Sequence, residues 1–331
     1  MRVSVLHDAV TLGARPDQDD NLVQAREVAA ALKDGGHQAS LCAWQGSPRA
    51  SLARLASQEP DAVFNLVEEP LGRASRIHTA PLWLARQGLA FTGAGGRAML
   101  LTSHKLLAKR ALARASLPTP AWRMPGRAGH GDNNGPWLIK AVWEHGSLGI
   151  DEQSLVAAGD GWGLERALAV KEAQAGGPCF AESFIEGREF NLALLAEPGG
   201  VRLLPPAEIV FEDYTAGQLK VVGYRAKWES ASFEYHHTPR CFAFPAWDRA
   251  LLARLRDLAH ACWKLFGLRG WARVDFRVDR QGNPWILEVN ANPCLTMDAG
   301  FCAAAAQAGL DQAAVVAAIL ADLNQPKRGR A

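Results

Sequence analysis

Residues 270–293, Gly-Trp-Ala-Arg-Val-Asp-Phe-Arg-Val-Asp-Arg-Gln-Gly-Asn-Pro-Trp-Ile-Leu-Glu-Val-Asn-Ala-Asn-Pro, constrain this chain more than any other stretch. Apolar and polar residues alternate on both sides of Asp279-Arg280-Gln281-Gly282-Asn283, a pattern that predicts a β-hairpin. Pro284 is tolerated because it opens the second strand. Side chains two apart share a face, so Arg273, Asp275 and Arg277 line up on the first strand and Ile286, Glu288 and Asn290 on the second. Where the polar faces coincide, Asp275, Glu288 and Asn290 converge beside Arg273. Three oxygen donors, two of them anionic, suit a hard cation such as Mg²⁺, with water or phosphate oxygens completing its ligands. A solvated face would account for the charges, but not for Asn at a strand end with Asn-Pro just after it.

The bulk of the chain narrows the classes. At 331 residues it can build two or three packed domains. A net charge of +2 gives no strong field for nucleic acid. The cysteines, Cys42, Cys179, Cys241, Cys262, Cys294 and Cys302, form no Cys-x-x-Cys pair. That argues against a zinc site or disulfide framework and for a reducing, cytoplasmic setting. No signal peptide and no transmembrane run is expected.

Over 1–93, short apolar runs at 3–6, 38–44, 62–66 and 89–92 alternate with helical stretches at 22–33, 48–58 and 77–87. This predicts an α/β domain with a parallel sheet. Ligands bind such sheets at the carboxyl ends of the strands, which puts His7, Asp8, Asn65, Glu68 and Glu69 on a candidate rim. Gly93-Ala-Gly-Gly-Arg-Ala98 fits a dinucleotide fingerprint, but no Asp or Glu follows it through Pro120 to hold a ribose. A P-loop is absent as well. Further on, a helix over 102–115 carries Lys105, Lys109 and Arg110 on a face expected to be solvated. A short strand ends in Lys140, and Glu144-His-Gly-Ser-Leu-Gly149 is a glycine-bearing loop whose N–H groups can approach phosphate oxygens. Residues 180–190 read as strand, turn, strand. Residues 214–228 read as a long loop, 247–266 as an amphipathic helix, 296–310 and 311–323 as helices, and 326–331 as a basic tail.

In this order the motifs resemble the D-alanine–D-alanine ligase branch of the ATP-grasp superfamily. Arg-Val-Asp-Phe, Leu-Glu-Val-Asn and Asn-Pro carry the likeness, with Lys140 and its loop, Phe180-Ala-Glu-Ser-Phe-Ile-Glu-Gly-Arg-Glu-Phe190, and Phe-Asn-Leu-Val-Glu in the first domain. The resemblance implies an α/β, ATP-grasp fold of three domains, 1–93, 94–182 and 183–325, with ATP between the central and C-terminal ones. It implies Mg²⁺ on Asp275, Glu288 and Asn290, as two ions for which Mn²⁺ can substitute. ATP would meet Lys105, Lys140, Glu144, Gly146, Ser147, Gly149, Lys227 and Glu189, with the base against the hinge Glu182, Ser183, Phe184 and Ile185. Arg273, Lys227 and Ser147 take the catalytic positions. The implied reaction joins a carboxylate to an amine through an acyl phosphate and releases ADP and phosphate.

The amino-acid-recognition parts depart from that family. His145 and Gly146 stand where Gly-Ser is usual. Cys294 follows Pro293 in place of Gly, and Ala299 beside Asp298 replaces a Ser. His7-Asp8-Ala9 replaces Gly-Gly-x-Ser-x-Glu. The expected substrates are therefore amino-acid-like small molecules met by His7, Asp8, Glu68, His145, Cys294 and Asp298. A genuine D-alanine–D-alanine ligase, a non-amine acceptor and a non-catalytic ATP-binding regulator are the alternatives. A homodimer is left open.

Overall fold

The computed structural model describes residues 1–10, 16–126, 129–131, 135–143, 150–157, 159, 161–215 and 217–324. Three sheets follow one another along them. The first holds β1 (Arg2–Asp8), β2 (Gln38–Trp44) and β3 (Ala62–Asn65) in the order β2-β1-β3, all parallel. β1 is buried from Val3 to Asp8, because helices cover a parallel sheet on both faces. The helix Pro16–Asp34 makes the crossover to β2 and starts earlier than 22–33. The helix Pro48–Ala56 follows, capped by Ser47 Oγ accepting from the Ala50 N–H.

The strand expected at 89–92 is reduced to one parallel bridge between Val63 and Phe91. Thr92 adds its hydroxyl to the backbone pairing, accepting from the Asn65 N–H at 3.1 Å. The first glycine of the Gly-x-Gly-x-x-Ala signature has a packing cause. A Cβ on Gly93 would lie 3.0 Å from the Trp271 ring, and one on Gly270 would lie 3.0 Å from the Gly93 Cα. The glycines let two backbones and an indole meet.

The second sheet is antiparallel: β4 (Trp122–Arg123), β5 (Trp137–Ala141), β6 (Leu155–Val156) and β7 (Cys179–Ser183), in the order β4-β7-β5-β6. The third holds β8 (Gly187–Glu197), β9 (Gly200–Leu203), β10 (Ala207–Ile209), β11 (Arg240–Cys241), β12 (Trp271–Asp279) and β13 (Pro284–Asn290). Its path is β11-β10-β8-β12-β13, with β9 on β8. The helix Arg249–Phe266 lays Leu255, Ala259, Cys262 and Phe266 on this sheet's core with Val274, Phe276 and Ile286, and ends at left-handed Gly267.

The helix expected over 102–115 is two, Gly96–Ser103 and Lys105–Arg114. His104 leaves the helical backbone between them, and its Nδ1 accepts from the Leu107 N–H. The helices Gly300–Gln307 and Gln312–Ala321 are shorter than read from sequence. They bury Phe301, Val315 and Ile319 with Val3, Val28, Leu195 and Trp271, and so join the first sheet to the third. Among the described residues no single helix is long and apolar enough to cross a membrane. This bent pair passes that test only jointly, and it is core.

Candidate functional site

One cleft of about 550 Å³ is lined by residues from all three sheets. Its centre is the hairpin β12–β13. The turn forms where the sequence puts it: Asp279 Oδ1 accepts from the Gln281 and Asn283 N–H groups. Arg273 lies opposite Asn290 and Asp275 opposite Glu288. The register then slips, so that Phe276 faces Ile286 and Leu287 is the extra residue of a bulge. Simple alternation is corrected here. Ile286 does not share a face with Glu288; it is 0% exposed in the core, while Leu287 and Glu288 both line the cleft.

Arg273 Nε and Nη2 donate to the two Asp275 oxygens at 2.7 and 2.9 Å, and Asn191 Nδ2 donates to Oδ1 at 2.9 Å. Burial works against the guanidinium charge, but Asp275 and Glu288 hold Arg273 firmly protonated. The donor set fits a hard cation, and Arg273 already neutralises Asp275 as a metal would. Two carboxylates and an amide do not enclose an ion. Among the described residues no three His, Cys, Asp or Glu side chains form a cage, so phosphate or water must complete the ligands. Asn290 Oδ1 also accepts from the Asn292 N–H, which shapes the Asn-Pro turn, and the Pro293 carbonyl is fixed by Trp271 Nε1 at 2.8 Å.

Lys227 lies in a short helix, Tyr224–Trp228, inside the span read as loop, and it lines the cleft. Burial and then Arg273 lower its pKa, while Glu288, Asp275 and Glu189 oppose them. Glu189 pairs with Arg277 at 2.9 Å. Arg277, 2% exposed, sits over the rings of Phe184 and Phe211.

Lys105, Lys140, Glu182, Ser183, Phe184 and Ile185 also line the cleft. Two sets of contacts bear on the expected hinge. The Glu182 side chain does not wait for a base, because Lys109 holds Oε1 at 2.8 Å and Lys140 holds Oε2 at 2.5 Å. The Ser183 and Phe184 N–H groups donate to Ala121 and Pro136, so neither is a donor left for a base. Burial would raise the Glu182 pKa, but the two ammonium groups hold it below the usual range.

Lys109 was expected on a solvated face and is 1% exposed. Its three N–H donors meet Glu182, Thr119 Oγ1 at 2.9 Å and the Pro120 carbonyl at 3.0 Å. Thr119 in turn donates to the Ile286 carbonyl, tying this lysine to the hairpin. Burial lowers the Lys109 pKa to about 8 against the pull of Glu182. The signal was present: Leu106, Lys109 and Leu112 recur at helical spacing, and all three are buried.

On the N-terminal side Asp8, Asp20, Glu68 and Glu69 line the cleft. Of the rim candidates, His7 and Asn65 do not. The His7 ring stays beside the Asp8 carbonyl oxygen at 2.8 Å, and burial lowers its pKa. The Cys294 thiol donates to Asp20 Oδ2 at 3.1 Å, and burial raises its pKa well above the usual value, so it is a hydrogen-bond donor and not a thiolate. Asp298 lines the cleft and accepts from Arg240 through its carbonyl at 3.0 Å. Glu144, His145, Gly146, Ser147 and Gly149 lie outside the described residues, as does the tail 326–331.

Residues 132–321 match the family model described as D-ala D-ala ligase C-terminus. The chain is 30% identical over 316 residues to the D-alanine–D-alanine ligase of Bordetella pertussis, covering 94% of this chain and 92% of that protein. It is 29% identical over 304 residues to the uncharacterized protein y4sG of Sinorhizobium fredii, covering 89% of this chain and 86% of that one. The solved structure of the D-alanine–D-alanine ligase from Bacillus anthracis complexed with ATP superposes with a TM-score of 0.73 at 18% identity, over 98% of this chain and 97% of that one.

Proposed function

Because the chain belongs to the D-alanine–D-alanine ligase family, we propose that it joins a carboxylate to an amine on amino-acid-like substrates other than two D-alanines. It is an ATP-dependent C–N ligase with the ATP-grasp fold. The single observation that supports the ligase mechanism is the opposed set Arg273–Asn290 and Asp275–Glu288, gathered with Lys227 in one cleft.

In the proposed sequence a substrate carboxylate oxygen attacks the γ-phosphorus and ADP departs. The amine nitrogen of the second substrate then attacks the acyl carbon. The negative charge that forms on the acyl oxygen falls to Arg273, phosphate leaves, and the nitrogen loses a proton. Asp275, Glu288 and Asn290 would hold Mg²⁺, which neutralises the triphosphate. Lys227 and Lys105 would add charge to the phosphates. Lys140 can do so only by sharing or releasing Glu182. Ser147 is proposed to contribute to binding the same phosphates.

The substrate proposal rests on the altered recognition parts and on the acidic N-terminal wall. The identity to the Bordetella enzyme favours a second reading, D-alanine itself. Phosphate release across a panel of amino acids and dipeptide partners decides. The expected result is ATP turnover with substrates other than D-alanine. Robust turnover with D-alanine alone removes the substrate proposal, and ATP binding with no ADP formed anywhere in the panel removes the ligase mechanism.

A further inference from the structure

The N-terminal wall of the cleft gathers more carboxyl groups than one amine requires. Asp8 ends β1, Asp20 stands on the first helix, and Glu68 and Glu69 follow β3; all four line the cleft. No described residue that lines the cleft before Lys105 is basic. The cations Lys140, Lys227, Arg240 and Arg273 come from the other two sheets and their connections.

Asp8 is 9% exposed. Its Oδ2 accepts from the Glu68 and Glu69 N–H groups, both at 2.7 Å, which pins the two glutamates beside it. Its Oδ1 is buried and has no hydrogen-bond partner among the described residues. An orphaned carboxylate oxygen is costly unless something fills the space it faces. Burial, eased by those two N–H groups, raises the Asp8 pKa to about 7. Burial with the charges of Asp8, Glu69 and Asp20 raises that of Glu68 to about 8. Like charges gathered in this way cost the free protein and favour a cationic ligand.

The wall also adjoins the proposed reaction centre. Asp20 accepts from Cys294, which follows the Asn-Pro turn of the hairpin and lies within electrostatic reach of Arg273. An α-ammonium has three donors and can be satisfied by one or two carboxylates. Asp8 Oδ1 then remains as an acceptor for a second cationic group.

We propose that this wall binds a cationic side chain, so that one substrate of the ligase is a basic amino acid such as a diamino acid. The chemistry of joining rests on the ligase reading, but the binding does not. The test is calorimetric, on the full chain with Mg²⁺ and a non-hydrolysable ATP analogue. Lysine and ornithine of both hands are compared with their neutral isosteres norleucine and norvaline. At least one basic amino acid should bind roughly tenfold or more tightly than its neutral counterpart, as expected when a charged hydrogen bond is gained. That preference should disappear in Glu68→Gln and in Asp20→Asn, while the ATP analogue binds as in the wild type and so reports an intact fold. Equal or tighter binding of the neutral set overturns the inference, and so does failure of every basic amino acid to bind. ADP release is read in parallel with ATP. A cationic preference without ADP release refutes the ligase mechanism and leaves the subsite; ADP release with neutral substrates alone does the reverse.

Discussion

The two ends of the cleft handle buried charge in opposite ways. Around Glu182 it is balanced internally: two lysines hold one carboxylate, and each Lys109 donor finds an acceptor. Around Asp8 it is not: acidic groups crowd together, and Asp8 Oδ1 has no partner among the described residues. On the proposed reading, a ligand of matching charge completes the Asp8 end. On that same reading, the balanced end serves the nucleotide and the acidic end selects the substrate.

The hairpin β12–β13 is where that contrast can be broken most sharply. Asp275→Ala or Glu288→Ala should lower ADP release by on the order of a hundredfold or more, because in the proposed mechanism each removes an anionic ligand of Mg²⁺. Turnover like the wild type in either variant would refute the metal assignment. Lys109→Met comes next. It leaves Glu182 with Lys140 alone, and breaking a buried pair typically costs about 3 kcal/mol. Denaturant unfolding should show that loss. Adding Glu182→Gln should restore part of it, because the buried carboxylate is then no longer charged. An additive double variant would mean that the two residues do not share one network.

Much of this was legible in the sequence, and the failures have physical causes. The hairpin, its turn and its charged residues followed from alternation, because the side-chain period of a strand is 2. Ile286 was misplaced because a bulge adds a residue to one strand and shifts parity beyond it, with no composition signal. The broken helix at His104 depends on a ring accepting from a neighbouring N–H, which apolar spacing does not record. Lys109 was missed because lysine reads as solvated by default, although its neighbours Leu106 and Leu112 marked a buried stripe. The acidic wall was half visible. Asp8 and Glu68 were singled out at strand ends, while Asp20, on the helix that follows β1, reaches the same cleft only through tertiary packing.

The smallest expected effect concerns the free protein and pH. The Asp8 and Glu68 pKa values are raised to about 7 and about 8, above the roughly 4 of an unfolded chain. Between those limits the folded state keeps protons that the unfolded state has lost. These groups therefore add stability at acidic pH, and that stability drains away as pH rises through about 7 to 8. Glu68 faces Asp8, Glu69 and Asp20 and is hydrogen-bonded to Gln24, so no nearby base reverses the sign. Glu68→Gln removes one titrating group and keeps an amide able to bond Gln24. Relative to the wild type, its Tm should rise between pH 5 and pH 8.5, by about 2–4 °C. Adding a basic amino acid that fills the wall should shrink this difference, since the cation then neutralises the wild-type carboxylates at high pH. A difference that stays flat with pH would show that Glu68 titrates as an ordinary surface acid.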